Sequence, residues 1–168
     1  MRWLGQSKRA FDIMCERALQ RQVGDAPLAS RQTVANWIAD SAAEMQAARL
    51  MTLHAAWVID TSGVAAARKE ISLIKFFGAR VLHDVIDRAI QVHGGAGVSD
   101  DVPLAAMYGW HRAMRIFDGP DEVHLQAIAR TELRRSAGRR DAEQAGTHHI
   151  DLAKKQGGDL PDERSTRL

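Results

Sequence analysis

A single cysteine, Cys15, in 168 residues excludes an internal disulfide framework and any zinc or iron-sulfur site built on several thiolates. It points to a reducing compartment. Only four prolines interrupt the chain, and β-branched residues almost never alternate with polar ones, so propensity favours helices throughout. No apolar run approaches the ~20 residues that span a bilayer. The N-terminal Met1-Arg2-Trp3-Leu4-Gly5-Gln6 also lacks a signal-peptide core. The expected location is the cytoplasm. An excess of one charge sign is missing too: 23 basic and 21 acidic residues alternate along the chain and leave a formal +2. That mixture provides no basic stripe for nucleic acid and no patch for an anionic membrane.

What is present is 45% apolar residues, enough for one buried core in a chain of this length. Leu4, Phe11, Met14, Cys15, Ala18 and Leu19 recur at helical spacing from Met1 to about Arg21. Gly24 and Pro27 then break the helix, and Ser30 suits the N-cap of the next one. Val34, Ile38, Ala42, Met45, Ala48, Thr52, Ala55 and Ile59 form one long stripe; Ala67, Ile71, Ile74, Gly78, Leu82, Val85, Ala89 and Val92 form a second. The short turn Asp60-Thr61-Ser62-Gly63 between them requires the two helices to run antiparallel. A shorter helix is expected through Tyr108 and Met114, and Asp121 is expected to cap a last one carrying Val123, Leu125, Ile128, Ala129 and Leu133 and ending near Gly138. Residues 139–168, with six basic and six acidic side chains, read as a polar, mostly disordered tail with a short helix around Ile150-Asp151-Leu152. The expected fold is all-α: an up-down four-helix bundle over residues 1–138 with one short accessory helix, followed by the 139–168 tail.

Two stretches could carry chemistry. In Gln91-Val92-His93-Gly94-Gly95-Ala96-Gly97 three glycines follow a helix end, where backbone N–H groups can approach a phosphate or ring without Cβ obstruction; the same glycines also suit a plain helix stop. In Arg115-Ile116-Phe117-Asp118-Gly119-Pro120-Asp121-Glu122-Val123-His124 a carboxylate beside an aromatic residue is presented on a Gly-Pro turn. It could act as a general base, although acids before a helix commonly serve as caps. None of the seven histidines stands in a zinc-protease spacing; His54 and His83 lie on the long helices, His148-His149 lies in the tail, and no metal site is expected.

Together these stretches, with Met14-Cys15-Glu16-Arg17 before them, resemble the C-terminal domain of the acyl-CoA dehydrogenases. The wording Asp118-Gly119-Pro120-Asp121-Glu122-Val123-His124 is similar to the branch of family members ten and eleven and their bacterial relatives. The resemblance runs from Met1 to about Arg140. It implies an FAD-dependent oxidoreductase of fatty acid metabolism that removes a proton from the acyl Cα of an acyl-CoA while a hydride leaves Cβ. By that resemblance Asp118 is the base, where most of the family has Glu. Gln91, Gly94, Gly95 and Gly97 meet the adenosine side of the FAD of a neighbouring subunit, Arg21 meets the pyrophosphate, and Gln32 fills the later polar position. Val23-Gly24-Asp25 departs from the family's Phe-Gly, replacing an aromatic contact and placing an acid near phosphates. The resemblance further implies a homo-oligomer, dimer or tetramer, or a partner chain supplying the N-terminal helical and β domains that relatives carry. Electron-transferring flavoprotein is the implied acceptor. The alternative reading is a non-catalytic helical assembly module derived from the same family.

Overall fold

The computed structural model describes residues 1–156, in two compact units, Met1–Ile128 and Ala129–Leu168. In the first unit α1 (Arg2–Gln20) buries Ser7, Ala10, Met14 and Ala18, a three-to-four residue step that lays one face on its neighbours. The chain leaves α1 at Arg21, whose extended backbone opens a small antiparallel hairpin, β1 (Gln22–Val23) against β2 (Ala26–Pro27). Gly24, at φ 67°, makes the reversal in a conformation that side chains resist. A 3-10 turn, Leu28–Ser30, follows. Ser30 does not cap the next helix as expected: its Oγ donates to the Pro27 carbonyl at 2.8 Å, and the residue before α2 is Arg31, with no side-chain cap.

Helix α2 (Gln32–Ser62) buries Val34, Ser41, Ala48 and Ala55, one residue in every seven, which is the seam of a helix packed almost parallel to its partner. The expected stripe differs at one position, for Ser41 faces inward and Ala42 is exposed. The reason is an ion pair from α3: Arg88 donates to Ser41 Oγ at 3.0 Å and to both Glu44 carboxylate oxygens at 2.7 and 3.1 Å. Gly63, at φ 82°, ends α2 and returns the chain into α3 (Arg68–His93).

Helix α3 is the centre of the unit. Val81, Leu82, Val85, Ile86, Ala89 and Val92 are buried on it, and α1, α2 and the short α4 (Leu104–Arg112) all pack against it. Complete burial of Leu82, Val85 and Ile86 contributes about 1.5–3 kcal/mol each. The core is rich in small residues, Ala10, Ala18, Ala48, Ala55, Ala67, Ala79 and Ala89, so helix backbones can approach closely. Gly78 is the extreme case, since a Cβ there would overlap the Trp3 ring of α1.

The all-α expectation holds, with two differences in detail. The fourth helix packed in this unit is α4, on α3. The helix expected in that place, α5 (Asp121–Gln156), starts here and continues into the second unit, with Val123 and Leu125 exposed. The expected stop near Gly138 is also corrected, because α5 runs on through it to Gln156. A single glycine in a helix interior costs about 1 kcal/mol, and the Ala- and Gln-containing residues beyond it favour helix. The described part of the second unit is this helix alone, with Leu133 exposed. Residues 157–168 of the expected tail lie outside the described residues.

The Gly78 contact generates a test. Helix propensity alone would make Gly78→Ala stabilising by about 1 kcal/mol, whereas the overlap with Trp3 should reverse the sign and cost about 1–3 kcal/mol. Urea denaturation of Gly78→Ala, with and without Trp3→Ala, measures both terms. A Gly78→Ala chain as stable as the parent would refute the close approach; loss of the penalty in the Trp3→Ala background supports it.

Candidate functional site

The turn carrying Asp118 is built from α4 onward. After a 3-10 turn, Ala113–Arg115, the Ala113 carbonyl accepts from the N–H groups of both Ile116 and Phe117, at 2.9 and 3.0 Å. Asp118 then takes φ 55°, the one non-glycine residue at positive φ in the described chain, a conformation that costs an L-residue about 1–2 kcal/mol, with Asp among the few that visit it routinely. Gly119 follows at φ 95°, and a Cβ on it would come within 2.9 Å of His124 Nε2. That same nitrogen donates to the Asp118 carbonyl at 3.2 Å, in the tautomer protonated at Nε2.

Two further interactions hold the turn, and neither was visible as a motif. Lys75, half-buried on α3, donates to the Met114 carbonyl at 2.6 Å and reaches the Gly119 carbonyl at 3.4 Å, with its ammonium 5.7 Å from the centre of the Phe117 ring. Arg115 Nε donates to Asp121 Oδ2 at 2.7 Å. Asp121 is therefore not the cap that was expected: it is the first residue of α5, 3% exposed, spent on an ion pair, with Oδ1 buried and without a hydrogen-bond partner. The sequence did carry a trace of Lys75, a lone cation in Ile71-Ser72-Leu73-Ile74-Lys75-Phe76-Phe77. Its partners lie about forty residues away, beyond any local pattern. Asp118 itself is exposed, directly after Ile116 and Phe117, which are 60% and 45% exposed.

The glycine turn closes the other end of α3. His93 is buried and its Nδ1–H donates to the Ala89 carbonyl at 2.8 Å, while Gly94 at φ 62° turns the chain into the 3-10 segment Gly94–Val98. Gly97 has no room for a side chain, since a Cβ would lie 2.5 Å from the Ile90 carbonyl oxygen. Gly94 and Gly95 are exposed with open space where a Cβ would stand, and Gln91 is exposed beside them. Next to this turn is a cleft of about 310 Å³ lined by Ile13, Glu16, Arg17 and Gln20 of α1 and by His93, Ala96, Val102 and Pro103. Arg17 Nε is buried there without a partner. Arg21 is exposed at the C-terminal end of α1, and Gln32 is exposed at the start of α2, where its Nε2 donates to Asn36 Oδ1 at 2.7 Å. The cleft does not include Asp118. Lys75 and His93 are separated by eighteen residues of α3, about 27 Å at 1.5 Å per residue. The turn that Lys75 holds and the glycine turn therefore belong to opposite ends of one helix.

An FAD is tested by the groups that would meet it. Open backbone at Gly94 and Gly95 and an exposed Gln91 offer hydrogen-bond donors to a nucleotide's polar edge. The residues fit that part of the group. Among the described residues no cluster of three or more His, Cys, Asp or Glu side chains could hold a metal ion, and no helix is long and apolar enough to cross a membrane.

Residues 1–133 match the family model described as acyl-CoA dehydrogenase, C-terminal domain, and the chain belongs to that family. Over 135 residues it is 56% identical to FadE2 of Mycobacterium tuberculosis, a match covering 80% of this chain and 33% of that protein. It is 52% identical to human acyl-CoA dehydrogenase family member 11 over 139 residues, 83% of this chain and 18% of the relative. Butyryl-CoA dehydrogenase from Megasphaera elsdenii superposes with a TM-score of 0.72 at 26% identity, covering 78% of this chain and 34% of that one. The FAD complex of PigA gives 0.74 at 26% identity, over 79% and 34%. The chain thus spans about a third of the length of FadE2 and under a fifth of family member 11.

Between α3 and α4 two histidines set a pH dependence. His83 tilts against Tyr108 with ring centres 4.4 Å apart, and burial pushes its pKa below the ordinary 6.5; His111 is lowered by burial as well. The unfolded chain then takes up protons near pH 6.5 that the folded chain refuses, so this contribution to stability is present above pH 6.5 and is lost as the pH falls below it. Asp84 shifts the other way: desolvation, then the charge of Glu44, raises its carboxyl, and its effect falls at lower pH, nearer the carboxylate range. Stability by chemical denaturation should therefore decrease from pH 7 to about 5.5, and the double change His83→Phe, His111→Phe should flatten that slope. An unchanged slope in the double variant would remove these histidines as its cause.

Proposed function

We propose that this chain forms the C-terminal part of an FAD-dependent acyl-CoA dehydrogenase, in which Asp118 takes the proton from the acyl Cα. The observation that carries this reading is the Asp118 turn: a carboxylate held at positive φ by its neighbours and presented between exposed Ile116, Phe117 and Val123 in the matched part of the chain. Apolar groups exposed around a carboxylate suit a surface that a substrate or another domain covers, and exclusion of water makes a carboxylate a stronger base. Flavin, when bound, supplies the acceptor for the hydride that leaves Cβ. The chain's own work is orientation: Asp118 accepts the proton, and the turn fixes where its carboxylate points.

The glycine turn serves a different flavin. Since it stands about 27 Å along α3 from Lys75, Gln91, Gly94, Gly95 and Gly97, with Arg21 and Gln32 toward the pyrophosphate, are read as contacts to cofactor held by a neighbouring subunit. Gly97 acts through packing and Gly94 and Gly95 through exposed backbone. The assembly is a homo-oligomer, dimer or tetramer, and α2 offers a surface for it: Leu50, Leu53 and Trp57 share one face and are 56%, 46% and 60% exposed. Electron-transferring flavoprotein is the acceptor in this reading, and a cytoplasmic location accompanies it. A second reading, a non-catalytic helical assembly module, is favoured by Asp25, exposed on the hairpin where an acid would repel phosphates.

A chimera in which residues 1–133 replace the matching third of FadE2 separates the two. The enzymatic reading expects it to retain yellow flavin that acyl-CoA bleaches, with Asp118→Asn keeping the flavin and slowing bleaching by about 10²–10⁴-fold. Bleaching at the parent rate in Asp118→Asn removes Asp118 as base. Sedimentation velocity of the 168-residue chain should show self-association, reduced by Trp57→Glu; a monomer at micromolar concentration contradicts both readings.

A further inference from the structure

The Asp118 turn contains more restraint than a helix-to-helix connection needs. The stretch Met114 to Gly119 runs from inside the 3-10 turn Ala113–Arg115 to the residue before Pro120, and a single ammonium from another helix contacts both of its ends. Lys75 Nζ donates to the Met114 carbonyl at 2.6 Å, reaches Gly119 O at 3.4 Å and lies 5.7 Å from the Phe117 ring centre. These are the residue opening the stretch, the residue after Asp118 and the residue before it. The ammonium has three donors and no acceptor, so carbonyl oxygens and an aromatic face are its natural partners. From the far side Arg115 and Asp121 close the loop by an ion pair at 2.7 Å, and His124 holds the Asp118 carbonyl at 3.2 Å.

The backbone of Asp118 makes this restraint consequential. At φ 55° its residue sits in a well that an unrestrained Asp would leave for the extended or right-handed region. Leaving would rotate the Asp118-Gly119 peptide, break the His124 contact and swing the carboxylate off its present direction. Two carbonyls bound to one buried-side cation oppose that rotation, because charge-assisted hydrogen bonds are stronger than neutral ones and their loss leaves the ammonium half-buried without partners. Lys75 is anchored on α3, the best-packed helix of the unit, so it transmits the rigidity of the core to an exposed turn.

We infer that Lys75 is a positioning residue, a clamp that keeps Asp118 in its left-handed conformation and so sets where the carboxylate points. That Asp118 needs aiming at a substrate rests on the dehydrogenase reading; that Lys75 does the holding does not. Lys75 touches neither substrate nor flavin in this account and acts through the turn.

The experiment uses the full 168-residue chain, labelled with nitrogen-15 and carbon-13, without flavin or substrate. A residue at positive φ gives a strong intraresidue HN–Hα NOE, so Asp118 reports its own conformation. Lys75→Met should lose that strong NOE and raise amide exchange at Phe117 by about tenfold or more, while far-UV circular dichroism stays at the parent value. Lys75→Arg, which keeps the cation and its donors, should restore both signals. If Lys75→Met does not fold, Lys75→Gln keeps a donor without charge and is read in the same way. An Asp118 NOE and Phe117 exchange equal to the parent in the folded variant overturns the clamp, as does failure of Lys75→Arg to behave differently from Lys75→Met. In the FadE2 chimera the clamp expects Lys75→Met to slow flavin bleaching by about ten- to a hundredfold with acyl-CoA affinity unchanged, and bleaching at the parent rate overturns the positioning role. The two ideas fail separately: the NOE can vanish in Lys75→Met while Asp118→Asn still bleaches, which would keep the clamp and discard Asp118 as base.

Discussion

The buried face of α3 is the constraint on which the rest depends. Val81, Leu82, Val85, Ile86 and Ala89 are enclosed by α1, α2 and α4 at once, so α3 cannot rotate or slide without exposing apolar surface on several sides. Both turns of interest are attached to this helix. The glycine turn is its C-terminal continuation, and the Asp118 turn is tied to it through Lys75. A rigid helix with a presented turn at each end suits a site shared between subunits, in which one end faces the chain's own ligand and the other faces a neighbour's.

Small residues make that rigidity possible. Gly78 against Trp3 and the many alanines of the core bring helices close, and close packing leaves few alternative arrangements of comparable energy. Polar groups inside the unit are handled by pairing. Arg88 is satisfied by Ser41 and Glu44, and Arg115 by Asp121. Among the described residues four buried atoms are exceptions: Arg17 Nε beside the glycine turn, His83 Nε2 and His111 Nδ1 between α3 and α4, and Asp121 Oδ1 at the Asp118 turn.

How much of this was legible in sequence depends on range. The helix stripes were, because a 3.6-residue period is local: Val34, Ala48 and Ala55 on α2 and Leu82, Val85 and Ala89 on α3 are buried as read. Ser41 in place of Ala42 was not, since its burial is decided by Arg88, forty-seven residues on. Ser30 and Asp121 misled for a shared reason, that a short polar residue before a helix looks like a cap whether or not its oxygen is spent elsewhere. The place of α5 was hidden as well, because apolar residues such as Val123, Leu125 and Leu133, which are exposed, do not say from sequence what they pack against. For the site, the motif wording located Asp118 and the glycine turn, whereas the left-handed backbone and the Lys75 contact that holds it follow only from tertiary structure.

Asp118, held by this turn, is proposed to face the reacting carbon of an acyl-CoA. A crystal structure of the FadE2 chimera with FAD and a non-reactive acyl-CoA analogue measures it directly. The expected complex has an Asp118 carboxylate oxygen within about 3–3.5 Å of the analogue's Cα, with Asp118 still at positive φ and Gly94 to Gly97 against the flavin of the neighbouring subunit. An Asp118 side chain turned to solvent while the analogue is bound, with the glycine turn touching no cofactor, would contradict it.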